Sequence, residues 1–343
     1  MAGLDTLPDG VRIARLVRDV TGAEPRGARP LGAGVSTIAW RVETDGEPVV
    51  VLVQKPDAAR SAGTAEIGDF PPRYGAQCAI FDGLSDLDAR VPRAIAWSGD
   101  DEYEGSTRFT LTSDLPWAMV TEARGAPGAV EALTDDGARD LGELLARLHA
   151  LPCEGFGLTV DRRDRLKGGA PDMASGLLER WPGLWPFDGT SLIAHPVARL
   201  APRLIEPTSR FRESLLRFGE LRRGVVAHSD LYPEHLFLED GRLGTLIDFG
   251  DAFIGPAAAD FASFASHYAV TDGWERVERA LEGYAASKVL RETRLAEAQL
   301  FAVALGLYRI RKRVALQQPA ERIAREVAFL EGTIEAAGRL LRG

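Results

Sequence analysis

Leu141, Leu144, Leu145 and Leu148 fall at i, i+3, i+4 and i+7, with polar or small residues between them. That spacing predicts an amphipathic helix within residues 134–151, with Thr134 as its N-cap. The chain ahead of it runs on a shorter period. Residues 30–43 read as a glycine-bearing turn followed by an alternating β-branched and aromatic strand. Asp45-Gly46 signals a hairpin turn, and residues 49–56 form a second strand too apolar for a fully exposed edge. A helix is expected within residues 71–87, and two further strands in RVPRAIAWSG and STRFTLTSDL. Residues 152–221 are irregular, rich in Trp and Pro, with helical pieces. Residues 224–252 read as strand, loop, a short hairpin turning at Glu239-Asp240-Gly241, and loop. From Asp260 onward nearly everything is helical, and Pro319 opens the last helix.

Sheet first and helices afterwards is an α+β layout, with a ligand cleft expected between an N-terminal antiparallel sheet lobe (1–115) and a larger helical C-terminal lobe (116–343). Composition narrows the function. Of 343 residues, 45% are hydrophobic and 27% charged, ordinary values for a globular chain, which exclude disorder and fibrous repeats. The net charge of −9 argues against nucleic acid as a partner and suits a cationic small molecule. No apolar run approaches the roughly 20 residues of a membrane span, and the first residues lack an apolar leader core. Cys78 and Cys153 are too few for a disulfide framework. A reducing cytoplasm is the expected setting.

The densest chemistry is His228-Ser229-Asp230-Leu231-Tyr232-Pro233-Glu234-His235, followed downstream by Leu246-Ile247-Asp248-Phe249-Gly250-Asp251. Each run places an acid on a loop directly beside a short apolar strand. One carboxylate in such a pair can take a proton from a hydroxyl nucleophile. The other can hold Mg²⁺ with few protein ligands, leaving coordination positions to substrate phosphates. A lone loop aspartate is ordinarily a turn former; the two runs together outweigh that reading.

HSDLYPEHLF followed by LIDFGDAFIGPAAADFASF resembles the paired signatures of aminoglycoside phosphotransferases, small-molecule kinases with a two-lobed, protein-kinase-like fold. The turn at Leu31-Gly32-Ala33-Gly34, the strand ending at Lys55, VPRAIA, the hinge-like LTSDLP and the LLARLHAL helix extend the resemblance over most of the chain. It implies Asp230 as the catalytic base, and Asp248 as a metal-binding acid. His235 stands where most members have a metal-binding Asn; the macrolide phosphotransferase branch resembles this sequence in having His there. His228 and Asp260 match scaffold positions. Gly32, Gly34 and Ser36 would meet nucleotide phosphates, with Lys55 or Gln54 as the clamp, while Thr112, Ser113 and Asp114 would face the purine. The position of the kinase helix Glu falls near Gln77, with Glu66 the nearest acid. Ser229 replaces a usual Gly.

The resemblance implies transfer of the γ-phosphoryl group of ATP or GTP, with Mg²⁺, to a hydroxyl of an antibiotic or related natural product, as self-protection or resistance. The acceptor pocket is expected over the helical lobe, walled by residues 181–185 and the final helices. A kinase of a primary metabolite, a catalytically silent kinase-like binding protein and a metallohydrolase built on His228, Asp230 and His235 are the alternatives. The acceptor, the nucleotide base and the oligomeric state are open at this level.

Overall fold

The computed structural model describes residues 9–33, 37–55, 73–85, 88, 90–99, 118–123, 133–162, 165–272 and 274–340. The chain divides into two compact units. The first comprises Met1–Gly125, Val160–Leu166 and Thr245–Gly250; the second comprises Ala126–Thr159, Lys167–Gly244 and Asp251–Gly343.

In the first unit, helix α1 (Gly10–Thr21) is capped at both ends. Asp9 accepts from the Arg12 N–H at 2.8 Å, and Gly22, at φ 71°, donates to Arg18 O at 2.9 Å. Its buried face, Ile13, Leu16 and Val17, lies on a five-stranded sheet ordered β1-β2-β3-β5-β4. The strands are β1 (Pro25–Ala33), β2 (Thr37–Thr44), β3 (Val49–Gln54), β4 (Ala94–Trp97) and β5 (Ala118–Glu122). β3 is central, and it alternates. Val49, Val51 and Val53 are buried in the α1 core, whereas Val50 and Leu52 on the other face are half-buried. Each such buried side chain contributes about 1.5–3 kcal/mol. Helix α2 (Tyr74–Ser85) lies within the stretch expected to be helical.

The second unit opens with α3 (Asp135–Leu148). Thr134 Oγ1 accepts from the Gly137 N–H, and all four predicted leucines are buried. A second sheet, ordered β6-β8-β7-β12-β9, is built from β6 (Cys153–Glu154), β7 (Phe156–Arg162), β8 (Arg165–Ala170), β9 (Val225–Ala227) and β12 (Phe253–Gly255), with residues 160–166 of β7 and β8 counted in the first unit. Along the chain, between β9 and β12, comes the separate hairpin of β10 (Leu236–Glu239) and β11 (Arg242–Leu246), turning through Asp240 and Gly241 at φ 50° and 75°. Four shorter helices, α4 (Met173–Arg180), α5 (Val197–Leu200), α6 (Ile205–Ser209) and α7 (Arg212–Gly219), precede four long ones. These are α8 (Ala258–Asp272), α9 (Glu275–Tyr284), α10 (Lys288–Ala315) and α11 (Ala320–Leu340), the last starting directly after Pro319. Helices α3 and α9 approach at glycine. A β-carbon on Gly142 would overlap the Ala280 carbonyl, and one on Gly283 that of Arg139.

Several details depart from the sequence reading. α1, β1 and β5 were not expected, and residues 153–170 hold strands rather than helical pieces. Trp181 and Trp185, expected to wall a pocket, are 2% and 3% exposed. Trp181 instead packs against Phe253 and Phe301, with ring centroids 5.0 and 5.5 Å away. Indole is the largest apolar surface available to a helical core, and burying it outweighs displaying it. The strand expected in STRFTLTSDL lies outside the described residues.

Candidate active site

In the second unit, strand β9 delivers the chain into the loop from His228 to His235, and one buried acid fixes that loop. Asp260, in the first turn of α8 and fully buried, accepts from the backbone N–H of His228 at 3.0 Å and of Ser229 at 2.6 Å. Its Oδ2 also lies 2.9 Å from His149 Nε2, at the end of α3, and His149 Nδ1 lies 2.9 Å from the Tyr284 hydroxyl. Burial pushes the Tyr284 phenol up, so it keeps its proton for this bond. The loop is therefore tied to α3, α8 and α9 through one carboxylate.

The residue after His228 is conformationally costly. Ser229 has φ 65°, a left-handed conformation that favours glycine. Its hydroxyl accepts from Arg180 Nε at 2.8 Å and donates to Asp251 O at 2.8 Å, while Arg180 Nη2 pairs with Asp251 Oδ2 at 2.7 Å. The serine is thus held by bonds that glycine could not make. Arg180 is 4% exposed, and a charge so buried needs this partnering.

Asp230 stands at the open side of the loop. Its N–H donates to His228 Nδ1 at 3.3 Å, and its carbonyl accepts from His235 Nδ1 at 2.8 Å. Its carboxylate, 28% exposed, has Oδ2 3.7 Å from His235 Nδ1. Because a carbonyl only accepts, His235 carries its proton on Nδ1. In the neutral ring Nε2 then holds the lone pair, the form in which imidazole ligates a metal.

In the first unit, Asp248 follows β11 at φ 65°. Phe249 next to it is buried and meets Phe81 of α2 edge-on, with centroids 5.5 Å apart. Gly250 O accepts from Arg73 Nη2 at 2.8 Å. A β-carbon on Gly250 would lie 3.3 Å from Asp248 Oδ1 and 3.5 Å from Gln77 Nε2, so α2 brings its buried amide, not an acid, to this turn. Burial first, and then the Asp248 charge, push the phenol of buried Tyr74 well above its usual range.

Gly32 sits in β1 opposite Ala39, just past a register shift, and nothing among the described residues lies within 4 Å of where its side chain would be. Gln54 is buried at the end of β3, and Lys55 beyond it is half-buried. Gly34, Ser36, Glu66, Thr112, Ser113 and Asp114 lie outside the described residues. Arg180 was missed by the sequence reading. Its one trace is position, since it continues the buried Met173 and Leu177 face of α4 at i+7 and i+3. Among the described residues no three His, Cys, Asp or Glu side chains gather into a metal cage. A carboxylate that shares Mg²⁺ with phosphates and water does not require one, and Asp248 offers the hard oxygen donor that ion prefers.

An antiparallel sheet unit and a helical unit make up a kinase-like, two-part α+β fold. The sequence matches the model of the phosphotransferase enzyme family over residues 27–297, and the chain belongs to that family. It is a transferase. No curated protein matches the sequence. Among solved structures, it is similar to the aminoglycoside phosphotransferase APH(4)-Ia in ternary complex with ADP and hygromycin B, at 11% identity and TM-score 0.58, covering 93% of this chain and 98% of that one. It is similar to macrolide 2′-phosphotransferase MphH from Brachybacterium faecium, at 18% identity and TM-score 0.54, covering 94% and 97%. A protein of Thermobifida fusca YX-ER1, provisionally named a fructosamine-3-kinase, matches at 20% identity and TM-score 0.57, covering 95% and 98%. These likenesses concern the fold. No described helix is long and apolar enough to cross a membrane.

Proposed function

We propose that this enzyme moves the γ-phosphoryl group of ATP or GTP to a hydroxyl of a small molecule, an antibiotic or related natural product, in the cytoplasm. The observation that carries the reading is Asp230. It is gripped through its backbone by His228 and His235, yet it keeps a partly exposed carboxylate. A fixed carboxylate of that kind can orient an acceptor hydroxyl and take its proton as the bond to phosphorus forms. Such transition states ask the protein mainly for positioning and charge neutralisation. Asp248, with His235, would hold Mg²⁺, which neutralises phosphate charge when bound. Gly32, Gly34, Ser36 and Lys55 would contact the phosphates, and Thr112, Ser113 and Asp114 the purine. The nucleotide lobe would be residues 1–115 and the catalytic and acceptor lobe residues 116–343.

The test is a gain in mass of one phosphate across a panel of macrolides, aminoglycosides and peptide and nucleoside antibiotics, with ATP and GTP as donors. Phosphorylation of a panel member supports the reading. Failure of both nucleotides to bind in the presence of Mg²⁺ overturns it. A silent binding module is the second reading, favoured by the uncharged Gln77 beside the Asp248 turn. Slow nucleotide hydrolysis that is abolished by Asp248→Ala excludes it.

A further inference from the structure

Tyr232, two residues beyond Asp230, is enclosed by basic side chains from two helices. Its ring lies on that of His267 of α8, with centroids 3.7 Å apart, and faces His235 at 5.8 Å. From α10, Arg309 and Arg313 each direct an Nη2 to the Tyr232 hydroxyl at 3.4 Å, and the Arg309 guanidinium lies 5.7 Å from the ring centroid. The two arginines are one helical turn apart, so they present side by side. Among the described residues one acid answers both: buried Glu326 of α11 pairs with Arg309 Nε at 2.9 Å and Arg313 Nε at 3.2 Å. Burial first, and then Arg309, hold His267 well below the usual imidazole range, so it adds no charge of either sign near neutrality.

Within this cluster two guanidiniums face one carboxylate, Glu326, around a tyrosine two residues along the loop from Asp230. Arg309 spends its other donors inward, on Ser266 and His267. Arg313 is less committed. Its side chain is 21% exposed, and among the described residues no partner takes its Nη1. An arginine held at Nε with an outward Nη edge is pre-organised to grip a carboxylate or phosphate. The protein's net charge of −9 is a property of its whole surface, whereas this cluster counts two arginines to one glutamate. An acceptor bearing ammonium groups would meet like charge at this place.

We propose that Arg313, with Arg309 behind it, forms an anion-binding subsite next to Asp230, and that the acceptor is a hydroxylated molecule carrying a carboxylate or a phosphate ester. This rests on the phosphotransferase reading, because only that reading puts the acceptor beside Asp230. Arg313 is the specificity-determining residue and Arg309 positions it through Tyr232 and Glu326.

The test uses pyranoses matched in shape and different in charge: glucuronate and glucose 6-phosphate as anions, glucose as neutral, glucosamine as cation. Binding is measured by calorimetry on the full chain saturated with Mg²⁺ and a non-hydrolysable nucleotide, and turnover by phosphate transfer. The anions should bind at least tenfold more tightly than glucose, and glucosamine most weakly. Arg313→Gln should collapse that ratio toward one, whereas Arg313→Lys should retain part of it. Arg322→Gln, which removes an exposed charge from α11, should leave the ratio unchanged. A merely structural arginine would weaken all four sugars alike. An equal loss on all four, or a preference for glucose or glucosamine in the unmodified protein, overturns the subsite while leaving the phosphotransferase reading intact. Loss of nucleotide binding itself would instead overturn the latter, and the sugar ratios, measurable without nucleotide, would still decide the subsite.

Discussion

Arg180 Nε donates to Ser229 Oγ at 2.8 Å, and this bond secures a residue whose φ of 65° is unfavourable for any side chain. Ser229→Ala keeps the strained backbone and strands a buried guanidinium donor, an expected loss of about 1.5–3 kcal/mol. Ser229→Gly loses the same bond but relieves a strain of about 1–2 kcal/mol. Glycine should therefore be the milder substitution. Urea midpoints of the two variants check the order, and an alanine variant more stable than the glycine one contradicts it.

For Asp230→Ala, turnover should fall by about 10²–10⁴, the usual worth of a positioned general base. Nucleotide affinity should change little. Steady-state kinetics on the identified acceptor, paired with nucleotide titration, separates the two effects. Full phosphotransfer by the alanine variant would remove Asp230 from its role.

His235→Asn exchanges an imidazole nitrogen for an amide oxygen. Activity should persist, and the ratio of Mg²⁺-supported to Mn²⁺-supported turnover should rise, because nitrogen is the softer donor. Metal titrations that cannot tell the two proteins apart would take His235 out of the metal site.

Glycine to alanine should have opposite signs at two helical positions. At Gly142 the added methyl meets the Ala280 carbonyl, forcing α3 and α9 apart at a cost of about 1–3 kcal/mol. At exposed Gly332, in α11, nothing among the described residues lies within 4 Å of the new carbon, and the substitution should stabilise by about 0.5–1 kcal/mol. Thermal unfolding of both variants decides this.

Acid should weaken the fold through His195. Its Nδ1 accepts from the Val197 N–H at 3.1 Å, and burial first, then the charge of Arg311, hold its pKa at about 4. Unfolded, it titrates at its ordinary value, near 6.5. The native state thus binds fewer protons between those values. Its contribution is complete above about pH 6.5 and is lost as the pH falls toward 4, on the order of 2 kcal/mol between pH 7 and 5. Urea unfolding at those two pH values should show a smaller drop in His195→Gln than in the unmodified chain.

What could be read in advance was local. Thr134 and its leucine stripe specify α3 without help from the rest of the chain, and Asp240-Gly241 specifies its turn. The signals of α1 were equally local, in Asp9, Ile13, Leu16, Val17 and Gly22, but its many arginines obscure the apolar stripe. β1 has no alternation to detect. It is a strand because β2 pairs with it through two register shifts. Ala118–Glu122 shows no alternation of apolar and polar residues and becomes a strand by lying between β3 and β4. At the site, the acids stood out because motif and strand adjoin in sequence. The grip of Asp260 on the loop, and of Arg180 on Ser229, spans 31 and 49 residues, a separation no periodicity encodes.

The tip joining β10 to β11 has the exposure of a surface loop, where opening the chain or splicing in a peptide is ordinarily harmless. Here it is a keystone. The Gly241 carbonyl receives both the N–H and the hydroxyl of Thr134, and Arg242 next to it clasps Asp140 of α3 at 2.5 and 2.6 Å. Lengthening this tip would draw the Gly241 carbonyl off Thr134 and Arg242 off Asp140, loosening the hairpin from the start of α3. The tether from Asp230 to Asp248 therefore has a fixed length, and circular permutants or epitope tags placed there would forfeit the fold that the same cut elsewhere on the surface would spare.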